Sequence, residues 1–316
     1  METSLALVEG VIVMLSVILL AVFLKRWGIL QKEHSLLFSR LVIKVTLPAL
    51  IFSSLAISSF HREFLMMALV MAAVEVAAIL LALLAARTLK LERGATGALI
   101  LVSAFGMTSM LGYPLISQVF PNDPLAMEEA VVTSELGVGL LLFILGPLIA
   151  MYYGDSGVVR KDLSRSVAGF FVSPVFIALV LGIGLSFLSL DPHSVVFSII
   201  ERVMTLVGNA NTLLVALAVG LVIEFQSIRT YWLFMAVAVL LKLIVKPVMA
   251  YLLLKQPAFT DMMQQIVFIE TALPSALLGA VFARHYNCRP DLVSMAVMVT
   301  LVLSVVTVSV LFLLLF

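Results

Sequence analysis

Glu270 lies one helical turn before Pro274 in the run Phe268-Ile269-Glu270-Thr271-Ala272-Leu273-Pro274-Ser275, inside an otherwise apolar stretch. A proline there removes a backbone donor and clashes with the preceding turn, so the helix must unwind and free N–H and C=O groups. A carboxylate one turn away could then bind a proton or a coupling cation, with the Thr271 hydroxyl as a further oxygen ligand. A second proline, Pro114 in Leu111-Gly112-Tyr113-Pro114-Leu115, interrupts another apolar stretch in the same way. The half-helices that restart near Leu115 and Ser275 present positive ends suited to a carboxylate. Thr108, Ser109, Gly112, Pro114, Pro274 and Ser275 are accordingly the candidate residues for binding an anion.

Other intramembrane charges are few, and each requires a partner or a function. Glu135 follows Thr133 and Ser134, whose hydroxyls add oxygen ligands; the trio reads either as a sodium or proton site or as a carboxylate facing the membrane surface. Lys242 and Lys246 share a helical face at i and i+4 and stand opposite Glu75 in the corresponding stretch of the other half. Either they attract an anion, with Lys242 as the ligand, or Lys242 pairs with Glu75 while Lys246 snorkels to an interface. Asn209 and Asn211 either face a cavity or hydrogen-bond between helices. His34, His61, His193 and His285 fall in loops without ligand spacing, and Cys288 is the single cysteine, so neither a metal centre nor an internal disulfide is expected.

The elements that carry these residues follow from hydropathy. The chain of 316 residues is 63% hydrophobic and 12% charged, against about 45–50% and about 25% in soluble domains. Its solvent is lipid. Apolar runs of spanning length fall at 5–24, 38–59, 64–86, 95–119, 130–151, 168–188, 195–223, 231–254, 262–284 and 292–316, which predicts ten transmembrane helices. Lys25, Arg26, Lys32, Arg87, Lys90, Arg93, Arg160, Lys161, Arg165, Arg229, Arg284 and Arg289 occupy alternate loops, leaving only Arg62 and Lys255 in the others. Because cytoplasmic loops concentrate Lys and Arg, both termini are predicted outside the cell membrane. A net charge of +1 without basic clusters gives no reason to expect nucleic acid as a partner.

Five spans per half, with a proline-broken fourth span in each, predict two repeats: 1–151 and 168–316, joined by a cytoplasmic linker at 152–167. Each broken span precedes a short polar turn, Asn122-Asp123-Pro124 in one half and Asn287-Cys288-Arg289-Pro290-Asp291 in the other. An odd number of spans makes the repeats inverted, an architecture of secondary transporters. Without His-Glu-x-x-His, Gly-x-Gly-Asp or a Ser/His pair within spans, the sequence gives no sign of an intramembrane enzyme, and no filter-like signature marks a channel.

Three segments give these features a family likeness: Leu241-Lys242-Leu243-Ile244-Val245-Lys246-Pro247; Ala272-Leu273-Pro274-Ser275-Ala276 with Ala283-Arg284-His285-Tyr286-Asn287; and Leu111-Gly112-Tyr113-Pro114-Leu115. With them the whole chain resembles the auxin efflux carrier family, in a superfamily with the sodium-coupled bile acid symporters. The resemblance implies spans 4 and 9 crossing at their breaks, a scaffold of spans 1, 2, 6 and 7, and a transport domain of spans 3–5 and 8–10. It further implies elevator-like movement of a small organic anion, a dicarboxylate or an auxin-like carboxylate, by a homodimer in the plasma or inner membrane, with no cofactor beyond a coupling proton or sodium ion. Met107 and Leu278 stand where many members carry asparagine, a departure that puts auxin itself in doubt. The segment around Glu270 resembles the one in which bile acid symporters bind sodium through a glutamate, although Pro274 replaces a glutamine ligand. Import of a larger amphipathic acid coupled to sodium, and uncoupled passage as a uniporter or channel, are the competing expectations.

Overall fold

The computed structural model describes residues 2–56, 62–121, 123–154, 168–169, 171–188, 195–222 and 231–316. Asn122, His61, His193, Arg160, Lys161, Arg165 and Arg229 lie outside the described residues, as does the expected linker from 155 onward. Helices make up nearly all of the rest: α1 (Glu2–Arg26), α2 (His34–Leu55), α3 (Arg62–Thr88), α4 (Arg93–Ala104), α5 (Tyr113–Val119), α6 (Pro124–Tyr153), α7 (Pro174–Leu188), α8 (Val195–Asn209), α9 (Asn211–Val222), α10 (Trp232–Leu254), α11 (Asp261–Ala272), α12 (Leu277–His285) and α13 (Pro290–Leu315).

Seven helical segments are long and apolar enough to cross a membrane: Thr3–Arg26, His34–Leu55, Arg62–Thr88, Pro124–Tyr153, Phe197–Leu221, Trp232–Leu254 and Pro290–Leu315. Their outward surfaces carry large apolar side chains, such as Leu19 and Phe23 on α1, Leu69 and Leu80 on α3 and Leu314 on α13. In water such surfaces would drive aggregation; in a bilayer they are the solvated face. The protein is a multi-pass membrane protein. α7 is a shorter apolar helix, while the stretches expected to span at 95–119 and 262–284 are each interrupted.

The chain forms two compact units. The first comprises Met1–Phe64, Ser109–Val131 and Phe171–Ile223; the second comprises Leu65–Thr108, Val132–Phe170 and Glu224–Phe316. Close apolar approach dominates the first. Gly220 on α9 sits so near α1 that a Cβ there would lie 2.6 Å from both the Ala21 Cβ and the Ile18 carbonyl oxygen. A buried hydrogen bond from Thr46 Oγ1 to Asn211 Oδ1, 2.8 Å, joins α2 to α9, and Lys25 Nζ donates to the carbonyl of Leu221 at 3.0 Å, capping the end of α9.

The second unit packs α10, α11 and α13 together, with α4 against the latter half of α6. At one end, three loops are tied. Arg289 reaches Glu92 and Asp291 and lies over the Tyr231 ring, while Arg93 donates to the Tyr152 carbonyl. Hydrogen bonds to Asp291 and then Glu92 hold the Arg289 guanidinium above its already high ordinary value.

Candidate functional site

The site begins where two helices stop. α4 ends at Ala104 and α11 at Ala272, and each is followed by extended backbone, Phe105 at φ −88°, ψ 135° and Leu273 at φ −66°, ψ 157°. The two extended stretches pair antiparallel, Gly106 opposite Ser275. Met107 N–H donates to the Pro274 carbonyl and Ala276 N–H to the Phe105 carbonyl, both at 2.9 Å. This pairing asks only an acceptor of residue 274, so the missing N–H of proline costs no bond there. The interruption of the first stretch lies at residues 105–107, one to two turns before Pro114. Pro114 instead occupies the first turn of the helix that follows, where its ring is tolerated.

Side chains from four further helices converge on this pairing. Ser275 Oγ donates to the Val102 carbonyl at 2.6 Å, and Ser275 N–H to Thr300 Oγ1 on α13 at 3.1 Å. Ser134 Oγ donates to Thr108 Oγ1 at 2.5 Å. On α10, Lys242 Nζ donates to the Thr271 carbonyl at 2.9 Å; Lys246 Nζ pairs with Glu75 Oε1 of α3 at 2.5 Å and also donates to the Ala104 carbonyl. Gly106 is needed at the bridge, since a Cβ there would lie 3.1 Å from Lys242 Nζ and 3.6 Å from the Glu270 carbonyl oxygen. Lys246 is fully buried rather than snorkelling, and it, not Lys242, partners Glu75. The physical reason is local: Leu240–Val245 winds as a π turn, which shifts the lysines from the facing that α-helical spacing implies.

π turns recur at charged positions, at Val42–Thr46 around the exposed Lys44 and at Thr133–Gly139 around the buried Glu135. Such turns frequently mark functional sites. Glu270 is the outlier in the group. It is fully buried, and neither of its carboxylate oxygens has a hydrogen-bond partner. The charges that act on it are those of Glu135, Lys246 and Glu75, two of the three negative. Thr271 turns its hydroxyl back to the Val267 and Phe268 carbonyls, while the Thr133 hydroxyl is buried without a partner. A carboxylate held dry without a donor must take up a proton or a cation.

Of the residues singled out in the sequence, Thr108, Thr133, Ser134, Glu135, Lys242, Glu270, Thr271, Pro274 and Ser275 belong to the second unit, whereas Ser109, Gly112 and Pro114 belong to the first. The asparagine pair resolves into one buried residue, Asn211, bonded to Thr46, and one exposed, Asn209. Four residues escaped sequence reasoning. Gly106 and Thr300 build the bridge, and their only signals are a glycine amid small polar residues and a lone hydroxyl in an apolar run. Glu128 and Glu129 are buried in the first unit, Glu129 with neither oxygen hydrogen-bonded; both fall just before the apolar run at 130–151, so hydropathy placed them in a loop.

Compared with known proteins, the chain matches the profile of a membrane transport protein family over residues 6–159 and 159–312. It is 25% identical over 305 residues to an uncharacterized transporter of Methanocaldococcus jannaschii, spanning 95% of this chain and 96% of that protein. It is 27% identical over 301 residues to an uncharacterized transporter of Methanothermobacter thermautotrophicus, spanning 95% of each. With broken, hydrogen-bonded helices and buried carboxylates in a multi-pass membrane protein, and matches running through almost its whole length, the chain belongs to the membrane transport protein family, that of the auxin efflux carriers.

Proposed function

We propose that this protein is a secondary active transporter of a small organic anion, a dicarboxylate or an auxin-like carboxylate, working by alternating access of the elevator type and coupled to a proton or sodium gradient. The observation that carries the reading is Glu270, fully buried and without a hydrogen-bond donor one turn from the paired breaks. Loading it with a cation removes the cost of a bare buried carboxylate, and only then is an anion's charge tolerable nearby. Glu135, Ser134 and Thr133 extend the same cation site, and Thr108 and Ser275 offer hydroxyls to the substrate.

The seven long segments, the short α7 and the two interrupted stretches together support ten membrane passages in two inverted repeats, with the fourth and ninth crossing at residues 105–107 and 273–276. Two separately packed units, each drawn from both halves of the chain, support a scaffold and a moving transport domain. The loop distribution of Lys and Arg supports a cell membrane location with both termini outside.

The test is uptake of labelled malonate, malate and indole-3-acetate into proteoliposomes under a proton gradient, a sodium gradient or neither. Gradient-driven uptake of at least one carboxylate, abolished in Glu270→Gln, is the expected result and names the ion. Uptake of equal size in the mutant would overturn the coupling role and leave a uniporter.

A further inference from the structure

A helix that stops inside the hydrocarbon leaves its last carbonyls unpaired and the negative end of its dipole uncompensated. Two helices do so in the second unit, α4 at Ala104 and α11 at Ala272. One stretch of α10 answers both. From the π turn, Lys242 sends its ammonium to the Thr271 carbonyl at 2.9 Å, and one turn on Lys246 sends its own to the Ala104 carbonyl. Both ammoniums are fully buried. Glu75 balances Lys246 at 2.5 Å, and no described carboxylate lies within ion-pair distance of Lys242, so Lys242 meets only carbonyl oxygen. Side chains of this length and charge are costly to bury, and the geometry gives each a specific acceptor at a different break.

We infer that Lys242 and Lys246 are positioning residues: as cationic caps on the carbonyl ends of the two interrupted helices, they hold the breaks in register from a single turn of α10. Neither ammonium then serves as the counter-charge of the substrate. Lys242, an anion-ligand candidate by its sequence position, instead fixes the Glu270–Thr271 backbone, and Gly106 stays without a side chain so that the ammonium can lie against the other break. The inference rests on the transport reading above, but half of its test does not.

That half separates a cap from a plain ion pair. The full-length carrier is purified in detergent as wild type, Lys246→Met, the doubly neutral Glu75→Gln with Lys246→Gln, and the exchanged Glu75→Lys with Lys246→Glu, and thermal unfolding is followed. A cap needs a donor at position 246. The doubly neutral variant, which keeps an amide donor facing Ala104, is expected to unfold near wild type, and the exchanged variant, which sets a carboxylate against that carbonyl, well below it. Equal recovery in the exchanged variant would overturn the cap at Lys246.

The other half is uptake by Lys242→Met and Lys242→Arg in proteoliposomes. A positioning role lowers the maximal rate of Lys242→Met by at least about tenfold with little change in KM, and Lys242→Arg, which keeps charge and donors, recovers part of it. A rise in KM of about tenfold at an unchanged maximal rate would make Lys242 a substrate ligand and overturn its capping role. If wild type moves none of the carboxylates, the transport reading fails, and the unfolding series still decides the cap at Lys246.

Discussion

The two units bury different things. The first closes on volume: Gly220 against Ile18 and Ala21, with one neutral hydrogen bond, Thr46 to Asn211, crossing between helices. The second closes on charge: Glu75, Glu135, Lys242, Lys246 and Glu270 are all buried within it, among hydroxyls and interrupted backbone. Apolar contact in lipid is no stronger between helices than between helix and lipid, so a unit held by close approach depends on small residues. A unit held by charges depends on every partner being present, because a buried charge that loses its partner has no water to turn to. The difference teaches which half of the molecule should tolerate which kind of change.

The largest effect should come from removing one charge in the second unit. Lys246→Met strands Glu75 and the Ala104 carbonyl, and a loss of about 3–5 kcal/mol is expected from unfolding in detergent. A change of charge in the first unit at an equally buried position has no such pair to break. Volume is its weakness: Gly220→Val should cost about 1–3 kcal/mol by forcing α1 away from α9. Should Gly220→Val prove harmless and Lys246→Met cost less than Gly220→Val, the contrast between the units collapses. A smaller effect sharpens it. Thr46→Val deprives the buried Asn211 of its bond and should cost about 1–2 kcal/mol, while adding Asn211→Leu should recover most of the loss, as expected for a neutral pair. The smallest effect is outside both cores: Arg289→Ala removes partly exposed contacts to Glu92 and Asp291 and should shift stability by about 0.2–1 kcal/mol, less at high salt.

Hydropathy made the membrane segments legible, because a run of apolar residues long enough to span lipid has few alternatives. The break at Pro274 was legible for the same reason that its position is right: the proline lies in the unwound stretch itself. At the first break the proline misleads. Pro114 starts a helix, a place where its missing N–H is harmless, and the interruption falls at Gly106, which carries no signal as strong as a proline's. The set of buried charges was legible from their cost in lipid, as for Glu75, Lys242, Lys246 and Glu270. Their pairing was not, since i and i+4 spacing assumes an α-helix and the lysines sit at a π turn. Glu129 was hidden by a boundary: α6 begins at Pro124, a turn and a half before the apolar run that marks it in the sequence.

That π turn also carries a consequence for how the chain tolerates insertion and deletion. A π turn holds one residue more than the α turn it replaces, so losing any one residue between 240 and 245 would restore ordinary winding without altering a single functional side chain. Everything beyond the deletion would then rotate by ~100° about the helix axis. Lys246 would swing away from Ala104 and Glu75, though both remain in the sequence. The aim of this lysine is thus encoded in the number of residues before it as much as in its identity, and a one-residue gap here is a more drastic change than most substitutions.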